Sequence, residues 1–268
     1  MRRGLLERAE DRLPAEAGIL PHPVYGQHGL LRAYALALIR RAAEENIPAT
    51  RYVEYFQELP GTDWRAAELF WEQIAGAWQR AWDAGTEQAL AFYYSCRGFL
   101  VLRARHHTQI AWVSALLGLR DKRAVSVPDR AVLLNNVGWV YDALGDKAKA
   151  LEYYEQALPL RRQVGDRAGE ATTLNNMGGV YDALGDKAKA LEYYEQALPL
   201  QRQVGDRWGE SVTRFNIAMV YEDWGRLEQA EEQLQQVIAL DEAIGHPDLA
   251  SDRAALARVR ERRVVNRR

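Results

Sequence analysis

The second half of the chain carries its apolar residues at the spacing of paired α-helices. A first helical face is indicated by apolar or small residues at i, i+3, i+4 and i+7, namely Leu134, Val137, Gly138 and Tyr141. A second face follows at i, i+4 and i+7, namely Ala150, Tyr154 and Ala157. Gly145 is suited to end the first helix and Asp146 to cap the second. The pattern therefore predicts a helical hairpin.

This hairpin recurs with a period of 40 residues. Residues 134–167 and 174–207 differ at three of their 34 aligned positions, which are Val137/Met177, Trp139/Gly179 and Arg161/Gln201. A third, diverged copy runs from Gly209 to Gly245. A fixed period of this size is typical of stacked supersecondary units. The predicted fold class is therefore all-α, an α-solenoid of helix-turn-helix repeats preceded by degenerate helical hairpins.

The repeated positions resemble those of the tetratricopeptide repeat (TPR) family. Its order of a small residue, Tyr, Gly, Ala, Tyr and Ala is matched in the first unit by Gly138, Tyr141, Gly145, Ala150, Tyr154 and Ala157. The second unit has Gly178, Tyr181, Gly185, Ala190, Tyr194 and Ala197, and the third has Ala218, Tyr221, Gly225, Ala230, Leu234 and Val237. The resemblance implies that the small residues let the paired helices approach closely, and that the second tyrosine fills the gap toward the next repeat.

Two features depart from the usual TPR pattern. The period of 40 residues exceeds the usual length of about 34, and such lengthened repeats resemble the kinesin light chain type. Pro159 and Pro199 replace the usual proline at the repeat end and fall within the predicted second helices. A proline there removes a backbone hydrogen bond and favours a bend. The third unit has Ala239 at this position, so we expect no bend in it.

Four segments are expected along the chain. Residues 1–62 are interpreted as a winged-helix remnant with a connecting helix, and residues 63–127 as degenerate repeat hairpins. Three repeats occupy residues 128–245. Residues 246–268 are interpreted as a capping helix with a basic tail, which is either a solvated, frayed end or a nucleic-acid contact.

The segment before the repeats is expected to be helical as well. Tryptophans near one face predict a helix over residues 63–84. Further helices are predicted over residues 86–105 and 108–119. Pro128 marks the hinge into the first clear repeat.

Residues 19–56 resemble the junction between the winged helix and the helical sensor in bacterial STAND signalling ATPases of the NB-ARC type. The family phrase His–x–Leu–Leu–x–x–Tyr–Ala is matched by His28, Leu30, Leu31, Tyr34 and Ala35, and a later Tyr–Phe pair by Tyr55 and Phe56. The resemblance implies that the chain is the sensor part of such a protein, in which the histidine helps to keep the ATPase closed. The sequence has no GxxxxGK[ST] loop, so we expect no nucleotide hydrolysis by these residues.

Composition points to an ordinary cytoplasmic protein. The net charge is -2 with 27% charged residues, which favours neither nucleic acid nor an anionic membrane as the main partner. The single cysteine, Cys96, excludes an internal disulfide, and its apolar surroundings indicate a core residue. The sequence has no apolar run long enough to span a bilayer, and its N-terminus lacks the apolar stretch of a signal peptide.

The sequence offers no arrangement of residues that indicates an enzyme. His106 and His107 are adjacent, so on a helix they point about 100° apart and are poorly placed to share a metal. No cysteine partner for zinc and no nucleophile motif accompany them. We therefore expect no catalytic residue, metal or cofactor.

Polar residues on the predicted first helices are the candidates for ligand contact, because TPR geometry places these helices on the concave wall. The candidate peptide-binding residues are Asn135, Asn136, Trp139, Asp142, Asn175, Asn176, Asp182, Asn216, Met219 and Glu222. The asparagines either bond a ligand backbone through their amide groups or bond neighbouring helices. Trp139 could anchor a ligand side chain, and the acidic row indicates a preference for a basic or neutral peptide.

The function expected from this pattern is a scaffold or sensor that binds a protein or peptide in the TPR groove of a STAND-type signalling protein. The alternative is a component of a transcriptional regulator that contacts DNA through the winged-helix remnant or the basic tail at residues 258–268. The pattern leaves self-association open.

Overall fold

The computed structural model describes residues 71–118 and 125–266, and within them it contains ten α-helices and no β-strand. In chain order these are α1 Trp71–Ala84, α2 Thr86–Leu102, α3 His106–Leu117, α4 Val127–Ala143, α5 Lys147–Val164, α6 Arg167–Ala183, α7 Lys187–Val204, α8 Arg207–Asp223, α9 Leu227–Ile244 and α10 Leu249–Asn266. Among these helices, none combines the length and the apolar character that crossing a membrane requires. The winged-helix resemblance, including His28, falls outside the described residues.

The described residues up to Trp112 belong to a compact unit built around an aromatic cluster. The rings of Trp78 and Trp112 stack with their centroids 4.6 Å apart, and Phe92 meets Trp112 edge-on at 5.8 Å. Cys96 is fully buried in α2, and burial raises the pKa of its thiol to about 12. These contacts agree with the interpretation of Cys96 as a core residue.

From Val113 onward the described residues form a second compact unit, which contains three helical hairpins and a final helix. The hairpins are α4–α5, α6–α7 and α8–α9, and the second helix of each packs against the next element in the chain. The final helix, α10, therefore packs on α9 as the first helix of a further repeat would. This arrangement confirms the predicted all-α solenoid of helical hairpins.

Local sequence signals fix where the repeat helices begin and end. Four aspartates each accept a hydrogen bond from a backbone N–H three residues later, at 2.9–3.2 Å, and these are Asp146, Asp166, Asp186 and Asp206. The second helices end at glycines with φ of 66–72°, which are Gly165, Gly205 and Gly245. This left-handed conformation favours glycine because a Cβ would clash there. Pro159 and Pro199 lie inside α5 and α7, as predicted.

A close approach between the two helices of a hairpin explains the small residue on each first helix. A Cβ placed on Gly138 would lie 2.7 Å from Cε1 of Tyr154, and one on Gly178 would lie 2.6 Å from Cδ1 of Tyr194. Tyr154 is fully buried and Tyr194 is 2% exposed. The tyrosine rings therefore occupy the space that a larger first-helix residue would need.

Replacing Gly178 by alanine should destabilise the second repeat. We expect Gly178→Ala to lower the free energy of unfolding by about 1–3 kcal/mol, because the added methyl group is forced against a buried ring. The third repeat carries Ala218 and Leu234 at the equivalent positions, so Tyr194→Leu should relieve the clash. In urea denaturation, the loss in the double variant should be smaller than the sum of the two single losses. Additive losses would show that the two positions do not share this contact.

Candidate functional site

The candidate ligand-contacting residues lie on three helices that stand side by side. Helix α6 contacts both α4 and α8. We call the three rows that these helices present the first-helix face, which consists of Asn136, Asn176 and Asn216; Trp139, Gly179 and Met219; and Asp142, Asp182 and Glu222. Trp139 is 37% exposed, whereas the three asparagines are half-buried. The structure thus brings the predicted rows together on one unit.

Asn135 and Asn175 join successive first helices to one another. The Oδ1 atom of Asn135 accepts hydrogen bonds from Oγ1 of Thr173 at 3.0 Å and from Nδ2 of Asn176 at 3.4 Å. The Oδ1 atom of Asn175 has the same arrangement one period later, at 2.9 and 3.3 Å. These contacts favour bonding between helices, one of the two alternatives for the asparagines, at Asn135 and Asn175.

Basic side chains compensate the acidic row in the first two repeats. Asp142 pairs with Lys147 at 2.5 Å, and Asp182 pairs with Lys187 at 2.6 Å. Lys187 also reaches Asp223 at 2.7 Å. Because a cation lies beside each carboxylate, these contacts do not support a preference of the face for basic peptides.

Glu222, the third member of the acidic row, is covered by α10. It is 5% exposed and accepts hydrogen bonds from Arg258 at 2.8 Å and Arg262 at 2.6 Å. The hydrogen bond from Arg258, supported by Arg262, holds the pKa of Glu222 below its usual value. Arg258 also lies 3.7 Å from the sulfur of Met219. Helix α10 therefore covers the first-helix face at the third repeat.

The basic tail is helical up to Asn266, so it is not frayed there, although most of its residues are exposed as the solvated alternative expects. Arg260 and Arg263 both pair with Glu231, at 2.8 and 2.6 Å. Arg263 also pairs with Glu228 at 2.8 Å. The acidic side chains of α9 thus hold the tail, because their charge complements the arginines along one side of α10.

The sequence interpretation missed a buried polar cluster at the end of the third repeat. Asp241, His246 and Asp252 are 1%, 8% and 5% exposed. Burial raises the pKa of Asp252 to about 6, and the interaction with the neighbouring Asp241 adds to the shift. One signal was present in the repeat alignment, since Asp241 stands where the other copies have Arg161 and Gln201. The packing that joins α9 to α10 was needed to bring the three residues together.

Removing the amide of Asn175 should weaken the contact between α6 and α8. We expect Asn175→Ala to lower the free energy of unfolding by about 1 kcal/mol, because the buried hydroxyl of Thr213 loses its acceptor. Asn216→Ala is the matched control, since it leaves that bond intact, and its effect should stay within about 0.5 kcal/mol. Denaturant unfolding of both variants measures the difference. Equal losses would contradict the assignment of Asn175 as the linking residue.

The pairing of Glu222 with α10 predicts a specific pH dependence. A carboxyl group whose pKa is lowered in the folded state stabilises it above the unfolded pKa, and this contribution disappears as the pH falls through the folded value. We therefore expect Glu222→Gln to lower the unfolding free energy by about 1 kcal/mol at neutral pH. The difference from wild type should shrink below about pH 4. Glu242→Gln, at an exposed pair with Arg253, is the control and should change little; a pH-independent effect of Glu222→Gln would exclude the charge contribution.

Comparison with known proteins places the repeats in a family. The sequence profile of the family described as "Tetratricopeptide repeat" matches residues 114–163, 129–203 and 169–243. Among proteins with a curated description, no sequence match was found.

Solved structures share the fold at low sequence identity. The apo form of RapI superposes with a TM-score of 0.63 at 14% identity, over 87% of this chain and 65% of RapI. The STAND protein with a tetratricopeptide repeat sensor from Pyrococcus horikoshii superposes with a TM-score of 0.60 at 18% identity, over 88% of this chain and 37% of that protein. A putative kinesin light chain from Podosopora anserina, with nearly identical TPR-like repeats, gives a TM-score of 0.52 at 16% identity, over 74% of this chain and 98% of that one.

The chain thus spans less than two thirds of RapI and of the STAND protein. At these identities the likenesses concern the fold alone, which in each case is a stack of helical hairpins. The helical hairpins, their 40-residue period and the profile match agree with one another. Residues 114–243 of this chain are therefore tetratricopeptide repeats.

Proposed function

We propose that the repeats bind an extended segment of another protein on the first-helix face. The observation that carries this proposal is Trp139, a large aromatic side chain that is 37% exposed beside the asparagine row. Tryptophan is enriched among residues that dominate binding energy, because it buries a large area with few rotatable bonds. Trp139 is therefore the anchor of the proposed site.

The second repeat has a glycine, Gly179, at the position equivalent to Trp139. A Cβ placed on Gly179 would have one neighbouring atom within 4 Å, the hydroxyl oxygen of Tyr194 at 3.7 Å. The Trp139/Gly179 difference is one of three between the near-identical copies. The face therefore has a partly exposed indole on α4 and no side chain at the equivalent position of α6, and we propose that an apolar ligand side chain packs between them.

The asparagine row supplies acceptors for the ligand backbone. Asn176 and Asn216 direct their Nδ2 groups toward Asn135 and Asn175. Among the described residues, neither Oδ1 atom of this pair has a hydrogen-bond donor. Each carbonyl oxygen can therefore accept a peptide N–H. Acceptors that repeat along adjacent helices are suited to an extended chain.

We infer further that this binding serves a sensor role in a STAND-type signalling protein. Two features support this: the resemblance of residues 19–56 to the junction before such a sensor, and the fold likeness to a STAND protein that has a tetratricopeptide repeat sensor. In such a role, occupation of the first-helix face would be the input signal.

The alternative role in DNA binding gains no support from the basic tail. Arg258 and Arg262 pair with Glu222, and Arg260 and Arg263 pair with Glu231. Phosphate contact would have to compete with these ion pairs. The peptide-binding proposal does not require any of them to break.

A random-peptide phage library selected on the immobilised chain would test the proposal. A selected peptide is then synthesised, and its affinity for wild-type protein is compared with that for Trp139→Ala and for the double variant Asn136→Ala/Asn176→Ala. We expect each to weaken binding by about tenfold or more, which corresponds to about 1.4 kcal/mol. The thermal midpoint should hardly move, because none of these side chains lies in the core.

The matched control is Glu152→Ala/Glu192→Ala, which removes two exposed side chains from the second helices α5 and α7. This variant should bind the peptide as wild type does. If selected peptides bind equally well to the variants of the first-helix face and to the control, the proposed location is wrong. If affinity and thermal midpoint fall together, the asparagines support the fold instead.

A further inference from the structure

The buried cluster at the end of the third repeat combines residues from three consecutive segments. Asp241 lies in the last turn of α9, His246 follows the end of that helix, and Asp252 lies in the first turn of α10. One potential ligand atom from each residue lies within 4.8 Å of the other two. All three side chains are more than nine-tenths buried.

Two atoms of the cluster have no protein partner among the described residues. The Oδ1 atom of Asp241 accepts a hydrogen bond from Oγ of Ser211 at 2.5 Å, but its Oδ2 atom has none. The Nε2 atom of His246 also lacks a partner, whereas its Nδ1 atom accepts the backbone N–H of Asp248 at 3.1 Å. A buried polar atom without a partner destabilises the folded state, so a group that binds both atoms would stabilise the fold.

The charges of the buried cluster also favour a bound cation. None of the lysine or arginine ion pairs in the described part of the chain involves Asp241 or Asp252. Two buried carboxylates without a cation are unfavourable in a medium of low dielectric constant. We propose that Asp241, His246 and Asp252 bind one divalent transition-metal ion, of which Zn²⁺ is the type best suited to one imidazole and two carboxylates.

The geometry requires only a small adjustment for such an ion. Ligand atoms of a tetrahedral Zn²⁺ site, each about 2.1 Å from the ion, are about 3.4 Å apart. The three atoms lie within 4.8 Å of one another, so side-chain movements of about an ångström suffice. A water molecule can complete the coordination.

Asp248 supplies the partner that a metal-bound histidine needs. Its Oδ2 atom lies 4.0 Å from Nδ1 of His246. Ligation through Nε2 places the imidazole proton on Nδ1, which must then donate instead of accepting the Asp248 N–H. Donation to the Asp248 carboxylate would fix the ring orientation, as carboxylates beside metal-binding histidines do.

The other repeats do not provide these ligands. The residues that correspond to Asp241 and His246 one period earlier are Gln201 and Asp206, and Gln201 donates a hydrogen bond to the hydroxyl of Thr213 at 2.8 Å. In the first repeat a buried arginine, Arg161, occupies the position. The potential ligands thus occur only in the copy that contacts α10, so the ion would hold the last helix on the last repeat.

Metal binding can be measured on the full chain after treatment with a chelator. Isothermal titration with ZnCl₂ should show one ion per chain, and Zn²⁺ should raise the thermal midpoint of the wild-type protein. Asp241→Asn and Asp252→Asn each remove a ligand and should weaken Zn²⁺ binding by about 100-fold or more. Asp248→Asn should weaken it by about tenfold, because replacing a residue that hydrogen-bonds to a metal ligand lowers metal affinity by about 10–100-fold. The ring centroid of Trp208 lies 3.8 Å from that of His246. Co²⁺ bound at the site should therefore quench the fluorescence of Trp208, and this quenching should largely disappear in Trp208→Phe.

Two control variants separate this site from adventitious binding. Glu242→Gln removes an exposed carboxylate next to Asp241, and His107→Gln removes an exposed histidine elsewhere; neither should change the Zn²⁺ affinity. Circular dichroism shows whether Asp241→Asn and Asp252→Asn are folded. If either variant is unfolded, His246→Gln is measured in its place. Absence of saturable Zn²⁺ binding to the wild-type chain would overturn the proposal. Unchanged affinity in a folded ligand variant would also overturn it.

Discussion

The contact between a glycine on each first helix and a buried tyrosine on each second helix sets the geometry of the repeats. In the first two repeats, the positions of a Cβ on Gly138 and Gly178 would fall 2.6–2.7 Å from the tyrosine rings, so the paired helices lie as close as their side chains allow. Tight interiors of this kind tolerate little change in volume. Because the same contact recurs after 40 residues, the first helices are placed side by side, and their outward residues form regular rows.

The features that depend on residues close together in the chain could be predicted from the sequence. Helix pairing follows from apolar spacing, and the helix ends follow from capping aspartates and glycines with positive φ, all of which act within a few residues. The bond from Thr173 to Asn135 joins residues 38 positions apart, and it depends on how successive hairpins are rotated against each other. Repetition alone could not reveal this rotation, so the sequence left both roles of the asparagines open.

The third repeat departs from its predecessors because it meets α10 and not another hairpin. Glu222 forms ion pairs with Arg258 and Arg262 of α10. Asp252, near the start of α10, joins the buried cluster at the end of α9. Several residues that diverge in this copy, among them Glu222, Glu231 and Asp241, are therefore ones that contact α10. The helix α10 lies within residues 246–268, and the ion pairs of its arginines depend on which glutamates lie opposite, which the sequence does not reveal.

The attachment of α10 also limits where a ligand can bind. Arg258 covers Glu222 and contacts Met219. Fewer residues of the first-helix face are therefore accessible on the third repeat than on the first two. The remaining surface is formed by α4 and α6, where the copies are nearly identical except at Trp139 and Gly179 on this face. In the proposed binding mode, a ligand would meet an aromatic side chain on α4 and a glycine on α6. In that mode, this difference would give an extended peptide a preferred register along the face, which two identical repeats could not provide.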